Sequence, residues 1–541
     1  MNVGSGDGST SGAMGTRPST PVAHLTSARS GVTRSRSWST EWPTLLLILA
    51  GVLFRVLVVS GINGSIDQDG AVAGLLARHV LHGDFSVFFW GQHYGGSADA
   101  YLLAPITALF PGNLLAIHAS ALIESVVIPV LLWRILLRYV PRERAAFAAA
   151  MAWSFPAFAV AFSTFPELFY NPVVISGLVV VLAGIRFREH PQAWHNPLIW
   201  GVAAGFGWWM SPTIVIFTSA SAVWLLWQAR SRYLVRGLAM AIGGFVIGAL
   251  PWLVVNIADR WPSLGQPTRY GSYAEHASTQ FGIGLPMVFG LRHTFSAAWV
   301  VPVALGVTLT LLLLGLLIWQ SIVLLLERSP LPLVLGFGAV VIVWIPFSNV
   351  ISNGRYIYEI TAVMIAILGS AVRPLPARIV VAVVVVVASI AWFTQAGEFS
   401  SGVRRTLTFQ EPGPNRDLQV LAQRLEAAGI NRIYSDYWVG GYTLSYISSE
   451  RILVVPFQNP RSTQYQAAVD GSATPSYLFP AGNVHLTWVE TWLQHHGIGY
   501  RTLTAAEFVV VTPDRHVVPT DMVPLPADLA LGTPLSQLPS P

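Results

Sequence analysis

Runs of Leu, Val, Ile, Phe and Ala recur from Trp42 to about Phe393, separated by short polar stretches rich in arginine, glycine and proline. A helix that crosses a bilayer requires roughly 17–25 mostly apolar residues, and by that guide the pattern predicts about eleven membrane segments. They lie near residues 42–60, 114–137, 145–164, 172–187, 198–210, 213–227, 238–257, 297–323, 331–347, 357–372 and 379–394. Residues 1–41 are rich in Ser, Thr and Gly, carry Arg17, Arg29, Arg34 and Arg36, and contain no apolar core. That composition predicts a disordered tail and not a cleaved signal peptide. From Gln395 onward the pattern is that of a water-soluble domain. A helix is predicted over 416–428 and ended by Gly429, strands over 432–435, 451–456 and 507–512, and a helix over 487–496 before Gly497. Alternating strands and helices predict a small α/β domain over 395–541. No repeat of 20–50 residues and no duplication of the membrane halves is visible.

The stretch between the first two membrane segments, 61–113, differs from its surroundings by mixing acids, histidines and an arginine with glycines and aromatics. Asp67 or Asp69 opens a helix on which Val72, Leu75, Leu76, His79 and Val80 recur at helical spacing, and Gly83–Asp84 closes it. Too short to span, this helix is expected to lie at the membrane surface, with Arg78 and His82 one turn apart on one side.

Composition and charge sharpen the picture. The chain of 541 residues is 53% hydrophobic and only 11% charged, which excludes an ordinary soluble protein. It has no cysteine, so neither disulfides nor thiolate metal sites are available. All 31 basic side chains are arginine, which a GC-rich genome accounts for, so their placement says more than their number. With the amino terminus inside, the inner loops hold Arg134, Arg138, Arg142, Arg144, Arg186, Arg188, Arg230, Arg232, Arg236, Arg328, Arg373 and Arg378. The outer loops hold only Arg78, Arg260, Arg269, Arg292 and Arg355. This asymmetry predicts a multi-pass protein of the cell membrane with a cytoplasmic amino terminus and the 395–541 domain outside.

Candidate chemistry gathers on that outer side. Asp67 and Asp69 are either a loop acid and a helix cap or a catalytic carboxylate. A helix start favours the charged carboxylate, so a base there needs burial or a neighbouring acid. Glu167, in FSTFPELFYNP, sits at the outer end of the third segment and shares the outer face with Asp69. Glu124 falls inside the second segment, where an acid needs a partner, with Arg55 and His118 as the candidates. Arg355 and Tyr356, in SNVISNGRYIYEI, begin the tenth segment, and the planar fork of an arginine there suits a phosphate or serves as an interfacial anchor. Arg269, Tyr270, Tyr273, Glu275, His276, Arg292 and His293 in the long outer loop are secondary candidates. His79, His82 and His93 match no metal-ligand motif, so a divalent cation is possible in principle but not indicated, and no cofactor is called for. Phosphate-binding glycine loops, GxSxG and HExxH are absent.

The first-loop residues DGAVAGLLARHVLHGDFSVFFWGQHYGGSADAYLLAPITALF resemble the first extracytoplasmic loop of polyprenyl-phosphate-sugar glycosyltransferases of the type C fold. These include the protein O-mannosyltransferase (family 39) and lipid A aminoarabinose transferase groups. Asp69 stands at that family's aspartate, Arg78 at its arginine, Gly83–Asp84 at its Gly-Asp, and Gly91 to Tyr94, with His93 inside, at its Gly-x-x-Tyr. Gly70 stands where glutamate is usual, and Asp67 lies two residues before Asp69. GWWMSPT at 207–213 resembles a paired-tryptophan turn of bacterial members, and GRYIYEI at 354–360 their Arg-Tyr motif. The tail INRIYSDYWVGGYTLSYISSERILVV resembles the outer domain of actinobacterial members. The resemblance implies transfer of a sugar from a polyprenyl phosphate to an extracytoplasmic glycan, lipid or protein hydroxyl, with inversion. No nucleotide and no nucleic acid takes part. Asp69 or Asp67 acts as base and Glu167 as a second acid. Arg355 with Tyr356 is the first choice to stabilise the leaving phosphate, then Arg78 and Arg292, with His93 and Tyr94 beside the donor.

Two other classes are open to the sequence. A transporter or lipid flippase requires charged groups near the midplane, for which only Glu124 and Arg55 qualify, and usually related halves. A non-catalytic protein that binds a polyprenyl lipid would accommodate Gly70 as a lost active site.

Overall fold

The computed structural model describes Gly4 and residues 41–61, 66, 68–166, 169–228, 231–265, 271–293, 298–345, 355–395, 415–435, 441–456 and 460–522. The chain divides into two units, Met1–Thr40 and Glu41–Pro541. The predicted tail falls almost wholly outside the described residues, as do Asp67 and Glu167.

Each predicted membrane segment is helical over most of its length. The order begins with α1 (Trp42–Gly61), then the first loop with α2 (Gln68–Leu81), the short hairpin β1 (Phe88–Phe89) and β2 (Gln92–Gly96), and α3 (Ala98–Leu109). There follow α4 (Leu114–Leu136), α5 (Arg142–Ser154), α6 (Ala157–Phe162), α7 (Tyr170–Glu189), α8 (His195–Met210), α9 (Val215–Gln228), α10 (Ser231–Gly248) and α11 (Leu250–Ala258). The short α12 (Tyr273–Thr279) and α13 (Leu285–Val288) precede α14 (Val303–Leu326), α15 (Leu331–Trp344), α16 (Arg355–Ala371) and α17 (Leu375–Gln395).

Among the described residues, five helices are long and apolar enough to cross a membrane: α1, α4, α7, α14 and α17. The α10–α11 pair, bent by 64°, makes a sixth. This is fewer than the apolar pattern predicts, for two reasons. The segment near 145–164 breaks at Phe155–Pro156, where Phe155 before the proline is extended and the proline lacks the N–H of a continuing helix. In addition, α8, α9, α15 and α16 have only 16, 14, 14 and 17 residues. Leucines and valines stand exposed along α1, α10, α14 and α17, as expected of faces turned to lipid. Close backbone crossing fastens α8 to α10. A methyl added at Gly205 or Gly248 would lie 2.1 or 2.2 Å from a carbonyl oxygen of the other helix, the small-residue contact typical of membrane helices.

The carboxyl-terminal part holds α18 (Asn415–Ala427), β3 (Arg432–Ser435), α19 (Gly441–Ile447), β4 (Leu453–Pro456), α20 (Thr463–Asp470), β5 (Ser476–Pro480), α21 (Val484–His495), β6 (Tyr500–Ala505) and β7 (Phe508–Pro513). The five strands form one sheet in the order β4-β3-β5-β7-β6, in which β4, β3 and β5 are parallel and β7 and β6 antiparallel. Alternate residues serve opposite faces. Ile433, Val454, Leu478 and Val510 pack with Leu418, Leu421 and Leu425 of α18. Tyr434, Val455, Tyr477, Phe479 and Val511 join a second core that also holds Ala71, Val72, Leu75 and Leu76 of α2 and Leu103 of α3. The first loop and the carboxyl-terminal domain therefore share one apolar interior.

That sharing corrects the placement of α2. It does not lie with one side open at a membrane surface, because Ala71 to Leu75 have less than 1% of their surface exposed, Gly74 aside, and α2 packs on α3 and α19. The small residues that give the helix little hydrophobic stripe are what let neighbours close in: a methyl at Gly74 would lie 2.6 Å from the Tyr446 ring.

Candidate active site between the first loop and the carboxyl-terminal domain

Asp69 occupies the first turn of α2. Its carboxylate Oδ1 accepts an ion-paired hydrogen bond from Nη1 of Arg461, a residue just past the carboxyl end of β4. Both side chains are largely buried. The Tyr94 hydroxyl, on β2, lies within electrostatic reach of Tyr356, Arg355, Arg461 and Asp69. Loss of surrounding water foremost raises that phenol to about 12, with Arg355 and Arg461 acting in the opposite sense. The Arg355 guanidinium stands 5.5 Å over the Tyr356 ring at the start of α16. Asp69 of the first loop and Arg355 and Tyr356 at the start of α16, two stretches far apart in sequence, are thus within electrostatic reach of the Tyr94 hydroxyl.

The other candidates sit elsewhere. Arg78 faces the carboxyl-terminal domain, where it donates to the Tyr446 carbonyl at 3.3 Å, stacks on that ring at 4.7 Å and pairs with Glu450 at 3.6 Å. The neighbouring His79 bridges Asp84 through Nδ1 and Glu450 through Nε2, both at 2.8 Å, while Tyr465 donates to Glu450 at 2.6 Å. The Glu450 hydrogen bond, opposed by burial and reinforced by Asp84, raises the pKa of His79. Burial would raise Glu450, but His79, Tyr465 and Arg78 together hold it below the usual range. Arg292 stacks on Trp299 at 4.0 Å, and its carbonyl accepts from the Trp392 indole. The His93 ring meets Phe88 edge-on, and its carbonyl accepts from Ser263. Glu275 closes a capping box with Ser272, and His276 is buried against the Val343 carbonyl.

The expected partners of Glu124 are corrected. Arg55 stacks 3.5 Å from the Trp153 ring and donates to the carbonyls of Gly51 and Trp153, and His118 bonds the Thr164 carbonyl. Glu124 instead shares hydrogen bonds with Asp99 of α3 and with Asn171 of α7, whose Oδ1 also accepts from Tyr358 at 2.6 Å. A hydrogen bond between two carboxyl groups requires that one of them keep its proton. Burial, then the Glu124 charge, accordingly raises Asp99 well above its ordinary value. Glu359, also buried, accepts from Thr213 at 2.5 Å.

Asp99, Glu359 and Arg461 were not among the sequence candidates. Asp99 stands in the same YGGSADAYLL stretch as Tyr94 and was visible as an acid inside an apolar helix. Arg461 carries no local signal. A cavity of about 570 Å³ opens beside α16, between it, α14 and α15, lined almost wholly by apolar side chains such as Leu314, Ile318 and Ile360. Among the described residues no cluster of three or more His, Asp or Glu is placed to hold a metal ion.

Solved structures of similar architecture identify the fold. ArnT from Cupriavidus metallidurans in the apo state superimposes with a TM-score of 0.57, over 88% of this chain and 98% of that one, at 13% identity. The chain has the type C glycosyltransferase fold. ArnT bound to undecaprenyl phosphate matches equally, with TM-score 0.57 at 14% identity, over 89% of this chain and 99% of that one. The archaeal oligosaccharyltransferase AglB from Archaeoglobus fulgidus, in complex with an inhibitory peptide and a dolichol-phosphate, is a weaker likeness. Its TM-score is 0.49 at 12% identity, over 87% of this chain and 75% of that one. Residues 98–255 match the family model described as dolichyl-phosphate-mannose-protein mannosyltransferase. No curated protein sequence matches the chain. Family segment and type C fold agree on the class: a membrane glycosyltransferase that works from a lipid-linked sugar.

Proposed function

We propose that this glycosyltransferase moves a sugar from a polyprenyl phosphate to a hydroxyl of an extracytoplasmic glycan, lipid or protein, with Asp69 as the base. The observation that supports the reading is that the Tyr94 hydroxyl lies within electrostatic reach of Asp69, Arg355 and Tyr356, with the Arg355 guanidinium over the Tyr356 ring. The acceptor hydroxyl gives its proton to the Asp69 carboxylate as its oxygen attacks the anomeric carbon. The bond from that carbon to the phosphate oxygen breaks on the opposite face, so configuration inverts and polyprenyl phosphate leaves. Arg355 and the phenol of Tyr94, which keeps its proton at neutral pH, stabilise the charge growing on the phosphate. The apolar cavity beside α16 suits the prenyl tail, since Ile357 on its wall is two residues from Arg355.

The asymmetry of the arginines supports an extracytoplasmic setting for the first loop and the carboxyl-terminal domain. The carboxyl-terminal domain would then select the acceptor, since in open α/β sheets ligands bind beyond the carboxyl ends of parallel strands. Here those ends, at Ser435 and Pro456, lead to Gly441 beside Gln68 and to Arg461 beside Asp69. Arg55 and Glu124, the charges a transport path would use, are instead tied to backbone carbonyls and to Asp99.

The test uses purified protein with radiolabelled polyprenyl-phosphate sugars, comparing wild type with Asp69→Asn and Asp67→Asn. Loss of transfer by at least ~10²-fold in Asp69→Asn alone supports the assignment. Undiminished transfer in both variants removes the proposed base, and no transfer with any donor removes the proposed reaction.

A further inference from the structure

We propose that Arg461 is the positioning residue of Asp69, which makes the carboxyl-terminal domain part of the catalytic unit and not only an acceptor-binding module. The inference rests on the reading of Asp69 as base.

Its starting point is how firmly Arg461 is held. Its backbone N–H donates to the Tyr442 hydroxyl at 2.7 Å, and the adjoining Ser462 caps α20 by accepting from the Tyr465 N–H. Tyr442 itself is fully buried. The guanidinium lies 5.3 Å over the Phe89 ring of β1. The turn of the first-loop hairpin is moulded to the same residue. Gly91 has φ +73°, and a methyl there would lie 3.1 Å from Arg461 Cγ and 3.2 Å from its Cα and Cβ. A side chain so enclosed loses little freedom when it forms its ion pair, so its direction is set before any substrate arrives.

A domain staple is the simpler role, and energetics argue against it. A largely buried ion pair returns little net stability, because desolvation offsets most of the Coulomb gain. The interface is already fastened by Arg78, His79, Glu450 and Tyr465. What the Asp69–Arg461 pair adds is direction. A carboxylate rotates about its last bond unless something holds its plane, and a planar guanidinium on Oδ1 does so while leaving Oδ2 to take the acceptor's proton. Among the described residues Arg461 is the hydrogen-bond partner of the Asp69 side chain. Lysine keeps the charge but not the planar fork, so it replaces the arginine only in part.

The experiment measures steady-state kinetics and melting of the full-length protein with a labelled polyprenyl-phosphate sugar. Wild type is compared with Arg461→Met, Arg461→Lys, Arg461→Gly, Asp69→Asn and the interface control Glu450→Gln. A misplaced reacting group costs on the order of 10²-fold per ångström, so Arg461→Met should lose roughly 30- to 100-fold in kcat with donor KM little changed. Arg461→Lys should recover part of the loss, and added methylguanidinium should restore Arg461→Gly without altering its melting temperature. An unchanged kcat in Arg461→Met beside an inactive Asp69→Asn overturns the positioning role alone. Equal losses of activity and melting temperature in Arg461→Met and Glu450→Gln, with no rescue, also overturn it in favour of a staple. A fully active Asp69→Asn overturns the base assignment beneath it.

Discussion

Substitution of Gly96 by alanine tests how the first loop is held against the membrane helices. Gly96 ends β2, pairs with Phe88 and lies two residues from Tyr94. An added methyl would stand 2.7 Å from the Trp209 carbonyl oxygen, 2.8 Å from the Met210 sulfur and 3.0 Å from the Met210 Cα. The sulfur ends a flexible side chain and can move aside. The oxygen and the Cα belong to the last turn of α8, and α8 is pinned to α10 by the glycine crossing. The strand must therefore yield. Ordinary contact begins at 3.4 Å, so β2 retreats by about 0.7 Å, an overpacking strain of roughly 1–3 kcal/mol. A shift of that size at Tyr94 should lower kcat/KM by about 10- to 100-fold. Initial rates with labelled donor and thermal unfolding in the same detergent give both quantities. Gly315→Ala serves as the control, since nothing lies within 4 Å of its added methyl. A Gly96→Ala protein with the rate and melting temperature of wild type would refute the reasoning.

The His79–Glu450 contact makes docking of the carboxyl-terminal domain pH-dependent. His79 is raised, so its contribution is complete below the ordinary histidine value and fades as pH rises through the raised one. Glu450 is lowered, so its contribution is present above the ordinary carboxylate value and is lost as pH falls through the lowered one. Hydrogen exchange in α2 should be slowest between those limits, and His79→Gln should remove the alkaline loosening, worth about 1 kcal/mol for so partly screened a pair. An identical alkaline profile in the variant counts against the contact. In the bundle, Glu124→Gln keeps a side-chain oxygen to accept the Asp99 proton and should melt close to wild type, whereas Glu124→Leu leaves Asp99 without that acceptor and should cost about 1–3 kcal/mol. Equal melting of the two variants would contradict the shared hydrogen bond.

The local grammar of the chain was easily read. Apolar runs marked the membrane helices, and the short strand Arg432–Ser435 emerged with the bounds its β-branched and aromatic residues suggested. The strand Ser476–Pro480 escaped because its residues are nearly all buried and so show no alternation. The apolar run around Pro156, which composition alone reads as continuous, is made of two helices. Within the site, Asp69, Tyr94, Arg355 and Tyr356 stand in recognisable motifs. Arg461 does not, since a single arginine in a polar loop is indistinguishable from any solvated one. Its meaning comes from a partner 392 positions earlier. The same distance explains the misplacement of α2, whose covering surface is encoded at the far end of the chain. For Glu124 the error was of another kind. Opposite charge suggested Arg55, but a shared proton lets a second acid, Asp99, be the partner.

The core common to α2 and the distal sheet has a consequence for biogenesis. Ala71 to Leu76 leave the ribosome long before Tyr446, Tyr477 and Val511, which belong to the same core. Contacts between residues so far apart in sequence form late and slowly. Throughout synthesis α2 waits with apolar surface uncovered, and Asp69 waits without Arg461. A nascent chain that has not yet reached the distal sheet therefore lacks both the cover of α2 and the partner of Asp69.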